Sequence, residues 1–376
     1  MSVFSYVKET ITSVITYISE QVKRLFTWLF PSDDSNMSPD GDIEQGMLSR
    51  FFQPQYNIPL PNGTRLKGPY RTLGAGAFGT VSEFKLNQTS VAVKQASGAG
   101  NNAEQTHEIE LLKSANSHPN IITYIGTVQV ESKVWIMVEL MRGSVRSLLD
   151  INKNLSNQTK LSLGIQLLRG ITHLHKLTGN HSTLTRTMTT LREAIVHQDL
   201  KTDNLLVSSF EDGPNIQLKI SDFGCARRVT QRKIPFIGTK ITTKIHEGEM
   251  KGTMLYMAPE VIRAAQKNET SCEPKSDTYS AGLILWEIMT GNRPNRSACE
   301  ILQDGTFNEF SNDKASQTTS ISRFSAFGQG VGNKTVPTYP KASFFGAAID
   351  RCVQSTPSKR DSSREVLNRL ENLSLN

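Results

Sequence analysis

The chain has 376 residues, 37% of them hydrophobic and 20% charged, with a formal net charge of +7. That is ample for a buried core and allows one large domain or two ordinary ones. The mild basic excess suits polyanionic partners such as nucleotides or anionic lipid, and no nucleic-acid partner is expected. Cys225, Cys272, Cys299 and Cys352 are far apart and form no C-x-x-C pair, and the histidines show no H-E-x-x-H spacing. This argues against a disulfide framework or a zinc site and for a reducing compartment. No run reaches the length of about 20 apolar residues needed to cross a bilayer, and the start does not read as a secretory signal, so a soluble, cytoplasmic protein is expected.

Along the chain, residues 1–30 repeat apolar side chains at helical spacing from Phe4, Val7 and Ile11 to Leu25 and Leu29. This predicts an amphipathic helix. Docking on the rest of the protein or self-association is one expectation for it. Trp28, Phe26 and Phe30 beside Lys23 and Arg24 make peripheral membrane contact the other. Pro31 stops the pattern, and residues 31–64 read as a linker. From residue 65 come short apolar runs at Thr80–Leu86, Ser90–Gln95, Ile121–Val130 and Val134–Leu140, which predict antiparallel strands. A helix over Glu104–Ala115 sits among them. Beyond residue 145 the pattern turns helical: Leu161, Ile165, Leu168, Ile171 and Leu174 share a face, and Ser280–Met289 and Glu365–Leu373 follow. Strands first and helices after predict an α+β chain with a small sheet lobe (65–141) and a larger helical lobe (142–374). Residues 178–193 and 304–340 read as loops.

Two stretches carry chemistry. Leu73-Gly74-Ala75-Gly76-Ala77-Phe78-Gly79-Thr80-Val81 is a G-x-G-x-x-G-x-V string, whose glycines let backbone N–H groups come close to phosphates. A dinucleotide fingerprint would need a strand before it, a helix after it and an acid about 20 residues on. Here a strand follows, and Lys94 ends the run Val91-Ala92-Val93-Lys94. A lysine beside such a loop reads as a charge for phosphates. Glu104, Glu108 and Glu110 on the next helix are candidates to position it, with Glu108 favoured by its spacing to Leu111 and Leu112.

Ile195-Val196-His197-Gln198-Asp199-Leu200-Lys201-Thr202-Asp203-Asn204-Leu205-Leu206 resembles the catalytic loop of eukaryotic-type protein kinases. Lys219-Ile220-Ser221-Asp222-Phe223-Gly224 is similar to their magnesium loop. Gly252-Thr253-Met254-Leu255-Tyr256-Met257-Ala258-Pro259-Glu260 is similar to the end of their activation segment. Together with the glycine loop these stand in the family's order, over about residues 68–373. The resemblance implies the two-lobed protein kinase fold, ATP as co-substrate, Mg²⁺ (Mn²⁺ as the alternative ion) and protein substrates. Lys201 with Gly252-Thr253 resembles the serine/threonine-specific members, and the surrounding wording is closest to the tyrosine-kinase-like serine/threonine kinases.

What the resemblance implies for the residues is as follows. Asp199 orients the substrate hydroxyl and takes its proton, Lys201 offsets charge on the transferring group, and Asn204 and Asp222 are metal ligands. Leu73, Gly74, Gly76 and Gly79 cover the phosphates, and Lys94, paired with Glu108, grips them. Val138 backs the adenine pocket, the backbone of Glu139 and Met141 bonds adenine, and Val81, Ala92 and Leu206 sandwich it. Leu112, Tyr124, His197 and Phe223 form a regulatory stack anchored by Asp277, and Glu260 pairs with Arg360. The rivals are a pseudokinase scaffold, which would lose one of Lys94, Asp199, Asn204 or Asp222, and a small-molecule phosphotransferase, which would lack the peptide platform of Ala258-Pro259-Glu260 and Arg360.

Two departures from the family stand out. His197-Gln198-Asp199 replaces the usual His-Arg-Asp, and glutamine cannot make a charge-assisted bond to a phosphate. Activity that does not depend strictly on phosphorylation of the activation segment is expected. That segment, from Asp222 to Glu260, is basic and reads as a long loop whose Thr239, Thr242 and Thr243 are candidates for autophosphorylation. The stretch between His175 and Ile195 is longer than in most relatives, which predicts a surface insertion near 178–193.

Overall fold

The computed structural model describes residues 55–76, 79–95, 102–131, 133–176, 190–234, 238–242, 252–267, 269–294 and 345–373. The amphipathic stretch 1–30, most of the linker, residues 178–189, Thr243 and residues 304–340 lie outside the described residues. Among the described residues no helix is long and apolar enough to cross a membrane.

The small lobe is built from β1 (Tyr56–Pro59), β2 (Arg65–Gly76), β3 (Gly79–Leu86) and β4 (Thr89–Gln95), then α1 (Asn102–Ala115), then β5 (Tyr124–Val130) and β6 (Lys133–Glu139). The six strands form one antiparallel sheet in the order β1-β2-β3-β4-β6-β5. Strand alternation divides its faces. Val91, Val93, Phe84, Trp135, Met137 and Leu66 pack into one apolar cluster. On β3, β4 and β6, Val81 stands opposite Lys94 and Ala92 opposite Val138, so these four share the other face.

Residues 56–59 were expected in a linker, yet they form β1, paired with β2 and capped by Tyr56 edge-on to Trp135 at 4.8 Å. Four residues are too few for periodicity to register. The glycine string likewise runs from the end of β2 into the start of β3, so a strand leads into it as well as out of it. The exposed stretch of β2 from Glu-facing Arg71 to Gly76 carries no apolar alternation to reveal it.

The large lobe contains β7 (Gly143–Ser144), α2 (Val145–Ile151), α3 (Asn157–Leu174), β8 (Thr190–Val196), β9 (Leu205–Val207), β10 (Leu218–Ile220), β11 (Arg227–Ile234) and β12 (Gly238–Thr242). These are followed by α4 (Pro259–Gln266), α5 (Pro274–Thr290), α6 (Gly346–Cys352) and α7 (Ser363–Leu373). Ser144 and Ser156 cap α2 and α3 by accepting from Ser147 N and Thr159 N. Helix α5 starts with proline at its first turn and ends at Gly291 with φ +74°. It is buried nearly all round, between α3, α6 and the chain after β12.

A finding the sequence did not anticipate is a three-stranded antiparallel sheet, β12-β11-β8. It turns residues 190–193, expected in a loop, into the start of β8. It also places Thr239 and Thr242, expected in a loop, on β12. Polar strands such as Thr-Leu-Arg-Glu and Thr-Gln-Arg-Lys lack an apolar face to announce them. Their shared ladder runs into Ala194, Val196, Val229 and Cys272, which form a small buried cluster of their own.

Candidate functional site

The glycine-rich half of the site begins at the β2–β3 hairpin, where Gly74 pairs with Val81 and Gly76 with Gly79. Gly79 has φ +126°, a conformation that side chains rarely adopt. Leu73 is exposed at the rim. Lys94 Nζ donates to Glu108 Oε1 at 2.6 Å and to Asp222 Oδ1 at 2.9 Å. Of the three candidate glutamates on α1, it is Glu108 that Lys94 reaches.

Burial works against each charge in this trio. For Lys94 the carboxylates of Asp222 and Glu108 outweigh it and hold the ammonium above its ordinary pKa. Asp222 stays below the usual carboxylate range because Lys94 more than offsets its burial. Glu108 is pushed up, since burial and the neighbouring Asp222 together exceed the help from Lys94.

The catalytic half is organised from below by Asp277 in the first turn of α5. Its carboxylate accepts His197 N at 2.8 Å, Gln198 N at 3.0 Å and His175 Nε2 at 3.0 Å. Four non-glycine described residues have positive φ, and two of them, Gln198 (φ 63°) and Asp222 (φ 61°), flank this site. Such conformations persist where the surroundings over-determine them. Asp277 supplies that for Gln198.

Asp199 is buried, and every contact aims it. Oδ1 accepts Thr253 N at 2.7 Å, and Oδ2 accepts Asn204 Nδ2 at 3.0 Å and pairs with Lys201 Nζ at 3.1 Å. Lys201 also donates to Thr253 Oγ1 at 2.8 Å. Gly252 makes this possible: with φ +141°, a Cβ there would meet the Gln198 carbonyl at 2.8 Å. Phe223 is fully buried and meets His197 edge-on at 5.2 Å, with Leu112 buried and Tyr124 partly buried in the same core.

The remaining wall residues are Val81, Ala92 and Val138 on the sheet face described above and Leu206 on β9. Met141, just past β6, packs on the large-lobe core. Glu139 directs its amide N–H to the Thr123 carbonyl at 3.0 Å.

Three structural roles escaped the sequence. The Glu139 side chain accepts Thr123 N at 2.6 Å and pairs with Lys219 at 2.7 Å, tying β6 to β10 across the lobes. Glu287, fully buried, accepts from Arg146, Thr202 and Tyr256 at 2.6–2.9 Å and so props the catalytic loop from beneath. A lone acid within Ile284-Leu285-Trp286-Glu287-Ile288 was the available signal. Arg293 holds Asp203 of the catalytic loop with two bonds, at 3.0 and 2.8 Å.

Asn204 spends its amide nitrogen on Asp199, donating also to the Asp199 carbonyl at 2.8 Å, which presents its side-chain oxygen for a cation. Among the described residues no cluster of three or more His, Cys, Asp and Glu could hold a metal unaided. A hard divalent cation bound by one or two protein oxygens plus substrate phosphates needs no such cluster, so Asn204 and Asp222 fit it.

Comparison with known proteins gives the same frame. The family model for the protein kinase domain matches residues 69–370. Serine/threonine-protein kinase CTR1 of Arabidopsis thaliana is 32% identical over 230 residues, 59% of this chain and 24% of that protein. Mitogen-activated protein kinase kinase kinase ANP1, also of Arabidopsis thaliana, is 32% identical over 264 residues, 65% of this chain and 34% of that protein. Dual specificity protein kinase shkD of Dictyostelium discoideum is 31% identical over 229 residues, 59% of this chain and 26% of that protein. The matches thus span about a third or less of these relatives' lengths. With its family model covering most of the chain and the motifs brought to one cleft, this protein belongs to the protein kinase domain family.

Proposed function

We propose that the chain is a serine/threonine protein kinase that transfers the γ-phosphoryl group of Mg²⁺-bound ATP to hydroxyls of protein substrates. The observation that carries this reading is the position of Asp199, held by Thr253, Asn204 and Lys201 at one end of the cleft whose other end holds Lys94, Glu108 and Asp222. Phosphoryl transfer needs alignment and charge neutralisation more than covalent chemistry. Asp199 accepts the proton of the incoming hydroxyl. Lys201 neutralises charge on the transferring group, and its bond to Thr253 supports a serine/threonine acceptor. Lys94 grips the non-transferred phosphates. Asn204 and Asp222 would hold Mg²⁺, which would supply charge neutralisation for the phosphates. The glycine hairpin closes over the phosphates, and Val81, Ala92 and Leu206 enclose the adenine.

The protein is proposed to act in the cytoplasm. The apolar periodicity of the sequence over residues 1–30 adds peripheral membrane contact to the reading, which liposome flotation with and without those residues tests. For the activity itself, the test is labelling of a generic basic protein and of peptide arrays by the full chain with Mg²⁺ and radiolabelled ATP, beside Asp199→Asn. Label on serine or threonine, lost in the variant, supports the reading. An unlabelled wild-type reaction, autophosphorylation included, overturns it.

A further inference from the structure

Adjacent residues of a strand face opposite ways, and at the start of β11 this sends two arginines to two different parts of the machinery. Arg227 turns toward the catalytic loop, where its Nε donates to Gln198 Oε1 at 3.1 Å. The Gln198 amide is oriented from its other side by donating to the Ser271 carbonyl at 3.4 Å. Arg228 turns the other way. Its Nη1 reaches Glu193 Oε2 on β8 at 2.9 Å, and its Nη2 donates to Ser114 Oγ in the last turn of α1 at 2.8 Å.

Ser114 is set to receive it. Its hydroxyl donates to the Glu110 carbonyl at 2.8 Å, which leaves an oxygen lone pair for Arg228. Six residues earlier on the same helix stands Glu108, the partner of Lys94, roughly 9 Å along the axis at 1.5 Å per residue. The strand below cannot slide. β8 and β11 are in register from Val196 opposite Arg227 to Thr190 opposite Lys233. Val196 leads directly into His197 and Asp199.

We propose that Arg228 is a positioning residue for the kinase reaction. Through Ser114 and Glu193 it ties α1 to the β8–β11 ladder and keeps Glu108 on Lys94, while Arg227 holds the catalytic loop on the opposite face through Gln198. The stretch ahead of the catalytic loop, longer than the family's, supplies the carboxylate of this clasp. Both arginines are thus held by unmodified side chains of the chain itself, Gln198 and Glu193. The inference rests on the kinase reading above.

The test uses the full chain, the generic basic protein and Mg²⁺-ATP, with KM for ATP and kcat measured separately and an unfolding curve for each variant. Glu193 and Arg228 are about 36–37% exposed, so a modest effect is expected. Arg228→Ala should raise KM for ATP about threefold to fivefold, with kcat changed less. Ser114→Ala, a surface change that spares the fold, should shift KM in the same direction. The conservative Arg228→Lys, which keeps a donor for Glu193 or Ser114, should recover part of the loss in KM. Phosphatase treatment should leave the wild-type constants unchanged. Wild-type KM in both Arg228→Ala and Ser114→Ala, or loss of wild-type activity on dephosphorylation, overturns the clasp. A wild-type chain that labels nothing overturns the kinase reading instead.

Discussion

Two buried charge clusters in this protein use the same residue types to opposite ends. In one, Lys94 lies between Glu108 and Asp222, with side chains 16%, 10% and 27% exposed, so the cluster stays partly open to solvent and to the proposed nucleotide site. In the large lobe, Arg360 is fully enclosed. It meets both Glu260 oxygens at 2.7 and 3.1 Å, donates to the Lys275 carbonyl at 2.7 Å and the Gln354 carbonyl at 2.7 and 3.0 Å, and lies over the Tyr279 ring at 5.0 Å. Every donor of the guanidinium has an acceptor. A saturated cluster has no capacity left for a ligand, so it serves the fold. A cluster with charge held in place and facing a cleft serves binding and chemistry, at some cost to stability.

The largest effect that separates the two is expected at Asp199, on the functional side. Asp199→Asn keeps the shape and the acceptor for Thr253 N but cannot take a proton. It should lower kcat by about 10²–10⁴-fold, with the unfolding midpoint close to wild type. Single-turnover kinetics and a urea curve on the same sample check both halves. A variant that keeps its rate removes Asp199 from the chemistry.

Next comes Arg360→Ala, on the structural side. It strands the mostly enclosed Glu260 carboxylate and two carbonyls without their donor, so about 3–5 kcal/mol of folding stability should be lost. The urea midpoint reads this directly. Equal midpoints for wild type and variant would erase the contrast between the clusters.

This contrast also explains what the sequence could and could not reveal. Asp199, Asn204, Asp222 and Lys94 sit in short contiguous motifs, as the proposed phosphoryl transfer would require of residue type at fixed local spacing. Helices α3, α5 and α7 declared themselves by apolar periodicity. What stayed hidden depends on distant partners. Glu287 makes sense only once Arg146, Thr202 and Tyr256 surround it. Lys219 reads as an ordinary strand residue until Glu139 is found beside it. The sheet of β8, β11 and β12 has polar, locally patternless strands, and its stability comes from a ladder between segments some 35 residues apart, Thr190–Val196 with Arg227–Ile234. α4 and α6, at eight and seven residues, are too short for periodicity to separate them from loop.

A third prediction sharpens the comparison with a half-buried ionisable pair, His118 and His173. His118 and His173 stack at 4.6 Å between rings, and the His118 Nδ1 accepts Asn120 N at 3.1 Å. Burial first, then His173, Arg169 and Lys219, hold the His118 pKa down at about 4, against 6.5 unfolded. Between those values the unfolded chain binds a proton that the folded chain refuses, so stability is full above pH 6.5 and falls as pH drops toward 4. Thermal melts across that window, compared with His118→Asn, which keeps an acceptor for Asn120, should show a shallower slope in the variant. Parallel slopes would mean that His118 does not titrate as a half-buried neutral group.

The smallest effect is expected where an ion pair is neither buried nor saturated. Arg169 on α3 donates to Glu371 on α7 through Nε at 3.0 Å and Nη2 at 2.9 Å, but the side chains are 52% and 37% exposed. Water competes for both groups, and salt screens what remains. Arg169→Ala should cost at most about 1 kcal/mol, shrinking further at high salt, with kcat and KM for ATP unchanged. The contacts between α3 and α7 made by the apolar core, which includes Leu163, Leu167, Val366 and Leu370, should hold the helices in place regardless. A urea series at low and high salt tests this. If the loss matched that of Arg360→Ala, ion pairing itself, rather than enclosure with every donor satisfied, would be what stabilises this lobe.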